Sequence, residues 1–203
     1  MNTRNSALNI VVFLLWLGAV PPIAWAYPVY TYSDDFSLPI PANTNDTEGW
    51  MNDAVINIPD HHTIYDLDVS ISLRHTKVFD LQIFLQSPSQ KTICLNMYNP
   101  YDEYFDGEDY QQTIFDDEAE TPIEQGQAPF TGRFRPRDML SVFDGQDSFG
   151  SWRLRIYDRW PSDTGTFNRF EIMITEVPEP ATVTLLIFAA MMTHLKNRPH
   201  KPL

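Results

Sequence analysis

Tyr65-Asp66-Leu67-Asp68-Val69-Ser70-Ile71-Ser72-Leu73-Arg74-His75 is the stretch that decides the fold. Up to Leu73 its odd positions are apolar or aromatic, and its even positions are Asp, Ser or Arg. Successive side chains of an extended chain point to opposite faces. The alternation therefore describes a strand with one face in a core and the other in water. The next run repeats it, with Phe79, Leu81, Ile83 and Leu85 on one side and Asp80, Gln82 and Gln86 on the other. Ser87-Pro88-Ser89-Gln90 then supplies a turn. A third strand over 92–97 places Ile93, Leu95 and Met97 on one face.

Working outward, a strand is expected at Ala54–Ile58, before Pro59-Asp60. Downstream, 151–157 turns Trp152, Leu154 and Ile156 inward, and 167–176 does the same with Phe170, Ile172 and Ile174. A loop with Pro161 and Gly165 separates them. No segment of the middle region sustains a 3.6-residue period, and 16 prolines oppose long helices. Short strands joined by turns give an all-β fold, a sandwich or a barrel. Between Lys91 and Arg133 there are ten acids and no base, with aromatic residues among them. A structureless stretch of that length is uncommon in a domain, so an ordered loop with a short strand near 113–115 is expected.

Residues 1–26 read as a signal peptide: Arg4, an 11-residue apolar run at 10–20, Pro21-Pro22, and Ala24-Trp25-Ala26 with Ala24 and Ala26 at the cleavage positions. A span needs about 20 apolar residues, which this run lacks. A second apolar run at 181–192 precedes Lys196, Arg198 and Lys201. What lies between suffices for one domain of roughly 150 residues with one core. The expected division is a signal peptide at 1–26, an N-terminal extension at 27–49, a sandwich at 50–176 and a tail at 177–203. The chain has 27 acids and 14 bases, and the part between the two ends keeps 26 acids against 10 bases. Such a charge repels a phosphate backbone, so no nucleic-acid partner is expected. The lone Cys94 excludes an intramolecular disulfide; it reads as a small buried hydrophobe in its strand.

Four segments in order resemble the P domain (Homo B domain) that follows the catalytic unit of subtilisin-like proprotein convertases. They are Ile64 to Val69 running on to His75-Thr76; Phe79-Asp80-Leu81-Gln82-Ile83-Phe84-Leu85-Gln86-Ser87-Pro88; Thr113 to Ala119 followed by Pro129 to Pro136; and Leu140 to Gly145 followed by Gly150 to Asp158 and Asp163-Thr164-Gly165. The resemblance covers about residues 50–176 and implies a jelly-roll-like antiparallel β-sandwich. Ser89-Gln90 departs from it, since the family usually has a glycine in that turn. The tail, with Pro178-Glu179-Pro180, an apolar run and terminal bases, is similar to the PEP-CTERM sorting signal, which implies an exosortase as processing partner and transient membrane contact. Together these imply export to the bacterial envelope or the extracellular space.

A serine-protease site needs nucleophile, base and orienting acid in mutual reach. The middle region has only His61, His62 and His75, no G-x-S-x-G elbow, and no room for a subtilisin-like catalytic domain, so no enzyme is expected. His75, beside Leu73 on the apolar face, reads as a core histidine bonded to backbone. His61-His62 diverge in an extended chain, and no HExxH or CxxC spacing supports zinc. Calcium fits better, because it takes about six to eight oxygens. Asp80, Asp116, Asp117 and Asp158 are the candidate ligands, against the alternative of a solvated acidic surface. Three roles remain open: a stand-alone accessory module, a stabilising module for a subtilisin-like serine endopeptidase, and a binder of extracellular polysaccharide through Tyr104, Tyr110 and Trp160.

Overall fold

Ten strands follow one another in the computed structural model: β1 (Val29–Ile40), β2 (Gly49–Trp50), β3 (Ala54–Ile58), β4 (Ile64–His75), β5 (Leu81–Gln86), β6 (Thr92–Asn96), β7 (Tyr110–Phe115), β8 (Phe130–Phe134), β9 (Gly150–Asp158) and β10 (Gly165–Glu176). The structure describes residues 27–42, 48–97, 107–160 and 162–177, with positions 188 and 191. One sheet runs β1-β10-β4-β7-β8 and the other β2-β9-β5-β6, with β3 also paired to β9. The fold is the expected all-β sandwich. Among the described residues one ladder departs from the antiparallel rule: β7 and β8 run parallel.

The alternation explains the core. Leu67, Val69, Ile71 and Leu73 of β4 are buried, and from the facing sheet so are Leu81, Ile83 and Leu85 of β5 and Trp152, Leu154 and Ile156 of β9. Trp152 satisfies its indole N–H by donating to the Ser148 carbonyl at 2.9 Å, and Phe143 packs edge-on against its ring. On β10 a register shift between Phe167 and Arg169 lets Phe167 and Phe170 both point inward, three residues apart, ahead of Ile172 and Ile174.

The expected strand at Ala54–Ile58 is β3, and Cys94 is buried in β6. Burial pushes its thiol up to about 11, with Asp138 adding to the effect. Two expectations are corrected. Alternation over 79–86 begins too early, because Val78–Asp80 form a 3-10 turn and the strand starts at Leu81. The turn rotates Asp80 inward, so Asp80 is buried rather than on the polar face. Residues 27–49, read as an extension, contain β1, which pairs along β10 from Val29 to Ile40. β1 is an edge strand with mostly exposed side chains, so it carries no core stripe to read.

The turn after β5 shows what the missing glycine means. Gln90 has φ 67°, in the left-handed region where a Cβ is disfavoured. The turn closes all the same through Gln90 N–H to Ser87 O and Ser87 N–H to Lys91 O.

Candidate functional site

Two groups of carboxylates stand near opposite ends of β4. At the Ile64 end, β4 presents Asp66 and Asp68 on its outer face, opposite its buried leucine and valine positions. Asp116, Asp117 and Glu118 follow β7, Arg133 stands on β8, and Ser141 and Asp144 come from the 3-10 turn at Leu140–Phe143 and its end. Together with Tyr65 and Thr175 they line a cleft of about 630 Å³.

Arg133 organises this cleft. Its guanidinium donates to Asp68 at 2.8 Å and to Asp116 at 2.5 Å. Asp117 is spent on structure: its two oxygens accept from the Leu140 and Ser141 N–H groups, both at 2.8 Å, and so hold the start of the 3-10 turn. Burial pushes Asp116 upward, but hydrogen bonds from Arg133 and the Glu118 N–H prevail and hold it below the usual carboxylate range. Asp68 shares the same guanidinium but lacks that second donor, so burial prevails and its carboxyl is raised. Burial, with repulsion from neighbouring acids, also raises Asp66, Glu118 and Asp144. The cleft is thus an anionic basin with more carboxylates than its guanidinium neutralises.

A pH dependence follows. A carboxyl raised in the folded state contributes stability that is full below its unfolded pKa, near 4, and is lost as pH rises through the folded value. Half-buried Asp66 therefore weakens the fold at neutral pH. Asp66→Asn should raise the melting temperature at pH 7.5 by a few degrees, about 0.5–1 kcal/mol. The gain should fade towards pH 4, as melting curves at the two pH values would reveal.

At the other end of β4, His75 and Asp158 form a fully buried pair, Nε2 to Oδ2 at 3.2 Å, with both side chains 0% exposed. Asp158 Oδ1 accepts from the Trp160 N–H, and His75 Nδ1 lies 3.0 Å from the Lys77 carbonyl. His75 is a core histidine as expected, but a carboxylate takes one of its nitrogens where backbone alone was anticipated. Asp80 stands beside this pair. Burial pushes its carboxyl up to about 6; Lys77 opposes this, while Asp163 and Asp158 add to it. Asp163 also accepts from the Thr76 hydroxyl at 3.0 Å.

The four aspartates proposed for calcium therefore split into two pairs. Asp116 and Asp117 lie in the cleft beside Asp68; Asp80 and Asp158 lie by His75, seven residues further along β4, roughly 20–25 Å away by the rise of an extended strand. Among the described residues no three His, Cys, Asp or Glu side chains converge as a metal cage. Sequence reasoning missed Asp66, Asp68, Arg133, Asp144 and Asp163. Asp66 and Asp68 were visible as a polar face, but a polar face of a strand is ordinarily just solvated.

The remaining histidines have diverged as expected. His61 Nδ1 pairs with Asp147 at 2.7 Å and its ring stacks on Phe149. His62 bonds the Tyr32 hydroxyl at 2.8 Å and lies 3.3 Å from Glu176. For the sugar-binding reading, Trp160 is 52% exposed, but Tyr110 is 1% exposed, its hydroxyl accepting from Asn96 at 2.6 Å, and is corrected to a core residue. Tyr104, the cleavage positions Ala24 and Ala26, and Pro178, Glu179 and Pro180 lie outside the described residues. No helix among the described residues is long and apolar enough to cross a membrane.

The family model for the proprotein convertase P-domain matches residues 64–174, more than half of the chain. This chain belongs to the proprotein convertase P-domain family. The match opens at the first residue of β4 and closes within β10, so both carboxylate groups of this P domain fall inside it. P domains are non-catalytic domains of subtilisin-like proteases. Among solved structures, the chain is similar to a serine protease of Aeromonas sobria, with 17% identity over 74% of this chain and 27% of that one, at a TM-score of 0.42. The complex of that protease with its chaperone matches with 16% identity over 75% of this chain and 28% of that one, at a TM-score of 0.44. The infectious bursal disease virus Gt strain matches with 14% identity over 77% and 35%, at a TM-score of 0.35. The P domain thus spans little more than a quarter of the length of the protease chains it matches. Comparison with curated proteins finds no match.

Proposed function

We propose that this protein is an exported, non-catalytic P-domain module that docks through its acidic cleft onto a basic surface of a protein partner. A subtilisin-like serine endopeptidase is the first candidate. One observation carries the reading. The cleft gathers Asp66, Asp68, Asp116, Asp117, Glu118 and Asp144 around Arg133, on the outer face of a sheet whose inner face is already committed to the core. A surface of that sign attracts lysine and arginine side chains and speeds encounter with a positively charged partner. Export rests on the leader at 1–26, and retention at the envelope on the Pro178-Glu179-Pro180 tail, with an exosortase as its processing partner.

The test is complex formation between the full chain and a subtilisin-like protease, followed by size-exclusion chromatography at low and high salt. The expected result is a complex that forms at low ionic strength, weakens with salt and extends the protease's lifetime at elevated temperature. Reversing charge at Asp66→Lys and Asp144→Lys together should weaken it by roughly tenfold or more. A complex indifferent to salt and to this double change would sink the cleft as the docking surface. No complex with any such protease would sink the protease as partner. Mass spectrometry of the envelope fraction tests the other half, since an intact leader and tail would contradict export and sorting.

A further inference from the structure

The connection from β4 to β5 and the connection from β9 to β10 meet at the His75 end of the sandwich. They are tied by Thr76 N–H to Thr164 O, Thr164 N–H to Thr76 Oγ1, and Arg159 N–H to Asp80 O. Three aspartates collect at this junction, and two of them are accounted for. Asp158 is satisfied by His75 and the Trp160 N–H. Asp163 accepts from the Thr76 hydroxyl with one oxygen. Asp80 differs: the residue is 3% exposed, and its Oδ2 is sealed from solvent with no hydrogen-bond partner. Lys77 is near enough to favour the carboxylate but does not bond that oxygen.

A buried carboxylate oxygen without a donor is costly, and a second carboxylate beside it makes ionisation costlier still. The ionised carboxylates of Asp163 and Asp158 are acceptors too, so neither supplies the missing donor. A bound cation would remove it.

We propose that Asp80 and Asp163 bind a calcium ion that clamps the β4–β5 connection to the β9–β10 connection. The ligand class follows from the donors: two hard carboxylates, and an imidazole already engaged by Asp158. Two carboxylates do not make a closed cage, so main-chain oxygens and water complete the shell. Calcium accepts such irregular oxygen sets, whereas magnesium demands a near-ideal octahedron. An incomplete side-chain shell places the affinity in the range of extracellular modules, about 0.1–1 mM. The site is separate from the acidic cleft, and the proposal does not depend on the docking partner.

The experiment compares melting of the full-length protein in millimolar calcium chloride, in magnesium chloride and in a chelator, with calorimetric titration of calcium alongside. Calcium should raise the melting temperature by roughly 3 °C or more, and magnesium should do less. Asp80→Asn keeps the side-chain shape and removes the buried charge. It should melt higher than wild type in chelator and lose the calcium response. Asp117→Asn, in the distant cleft, should keep that response. Equal melting of wild type in calcium and chelator would overturn the proposal, leaving a proton as the only cation at Asp80. A calcium shift that survives Asp80→Asn but disappears in Asp117→Asn would overturn it too, by moving the ion to the cleft.

Discussion

Asp158→Ala should lower the melting temperature by roughly 10 °C, a loss of about 3–5 kcal/mol. Its carboxylate is fully buried and serves two donors at once, His75 Nε2 at 3.2 Å and the Trp160 N–H at 3.0 Å. Alanine leaves the imidazole sealed in the core without that partner, and it frees the first residues of the loop after β9. Removing one member of a buried pair costs far more than the pair contributes, because the survivor has lost its water as well. Thermal melting of the variant measures the effect directly. Asp158→Asn is the informative companion: it keeps an acceptor oxygen, so it should lose about half as much or less. Equal losses for the two would mean that the charge, rather than the hydrogen bonds, is what holds the pair.

The second large effect is expected at Gly165, the first residue of β10. A Cβ built there would meet the Arg74 carbonyl oxygen at 2.2 Å, His75 Cδ2 at 2.5 Å and His75 Cα at 3.0 Å. Two of these are backbone atoms of the neighbouring strand, and the third belongs to the buried imidazole, so none can swing aside. Gly165→Ala must therefore push β10 off β4 at this end, where Gly165 is paired with His75. The cost should be about 2–4 kcal/mol, comparable to overpacking a core, and chemical denaturation gives it directly. Gly145→Ala is the contrast. Nothing lies within 4 Å of its added Cβ, and only its φ of 74° opposes the change, so the loss there should be about 1 kcal/mol.

The frame of the sandwich was legible because a half-buried strand writes itself as alternation. β4, β9 and the inward residues of β10 are readable from Leu67, Trp152 and Ile172 and their neighbours. β1 was not, for the complementary reason: an edge strand whose side chains face water has no apolar period. Asp80 shows another limit. A single 3-10 turn at Val78–Asp80 is invisible to a two-residue period, yet it moves the side chain from solvent to core. The candidate sites were less legible still, because each is assembled from distant segments. Arg133 meets Asp68 across 65 positions, and His75 meets Asp158 across 83. Local spacing therefore supplied acids without saying which of them meet. It grouped Asp80 with Asp116, which the fold keeps apart, and passed over Asp163, which the fold brings to Asp80.

The first and last of the described strands lie side by side in one sheet. Pro28 O accepts from the Glu176 N–H, and Val29 lies opposite Thr175. The chain thus enters and leaves the sandwich side by side, at the pole that also carries Asp66. Any tether on either terminus pulls on that one pole, where the end of β10 is flanked by β1 on one side and by β4 on the other. A circularly permuted version that joins the two ends through a short linker is the natural engineering use of this arrangement.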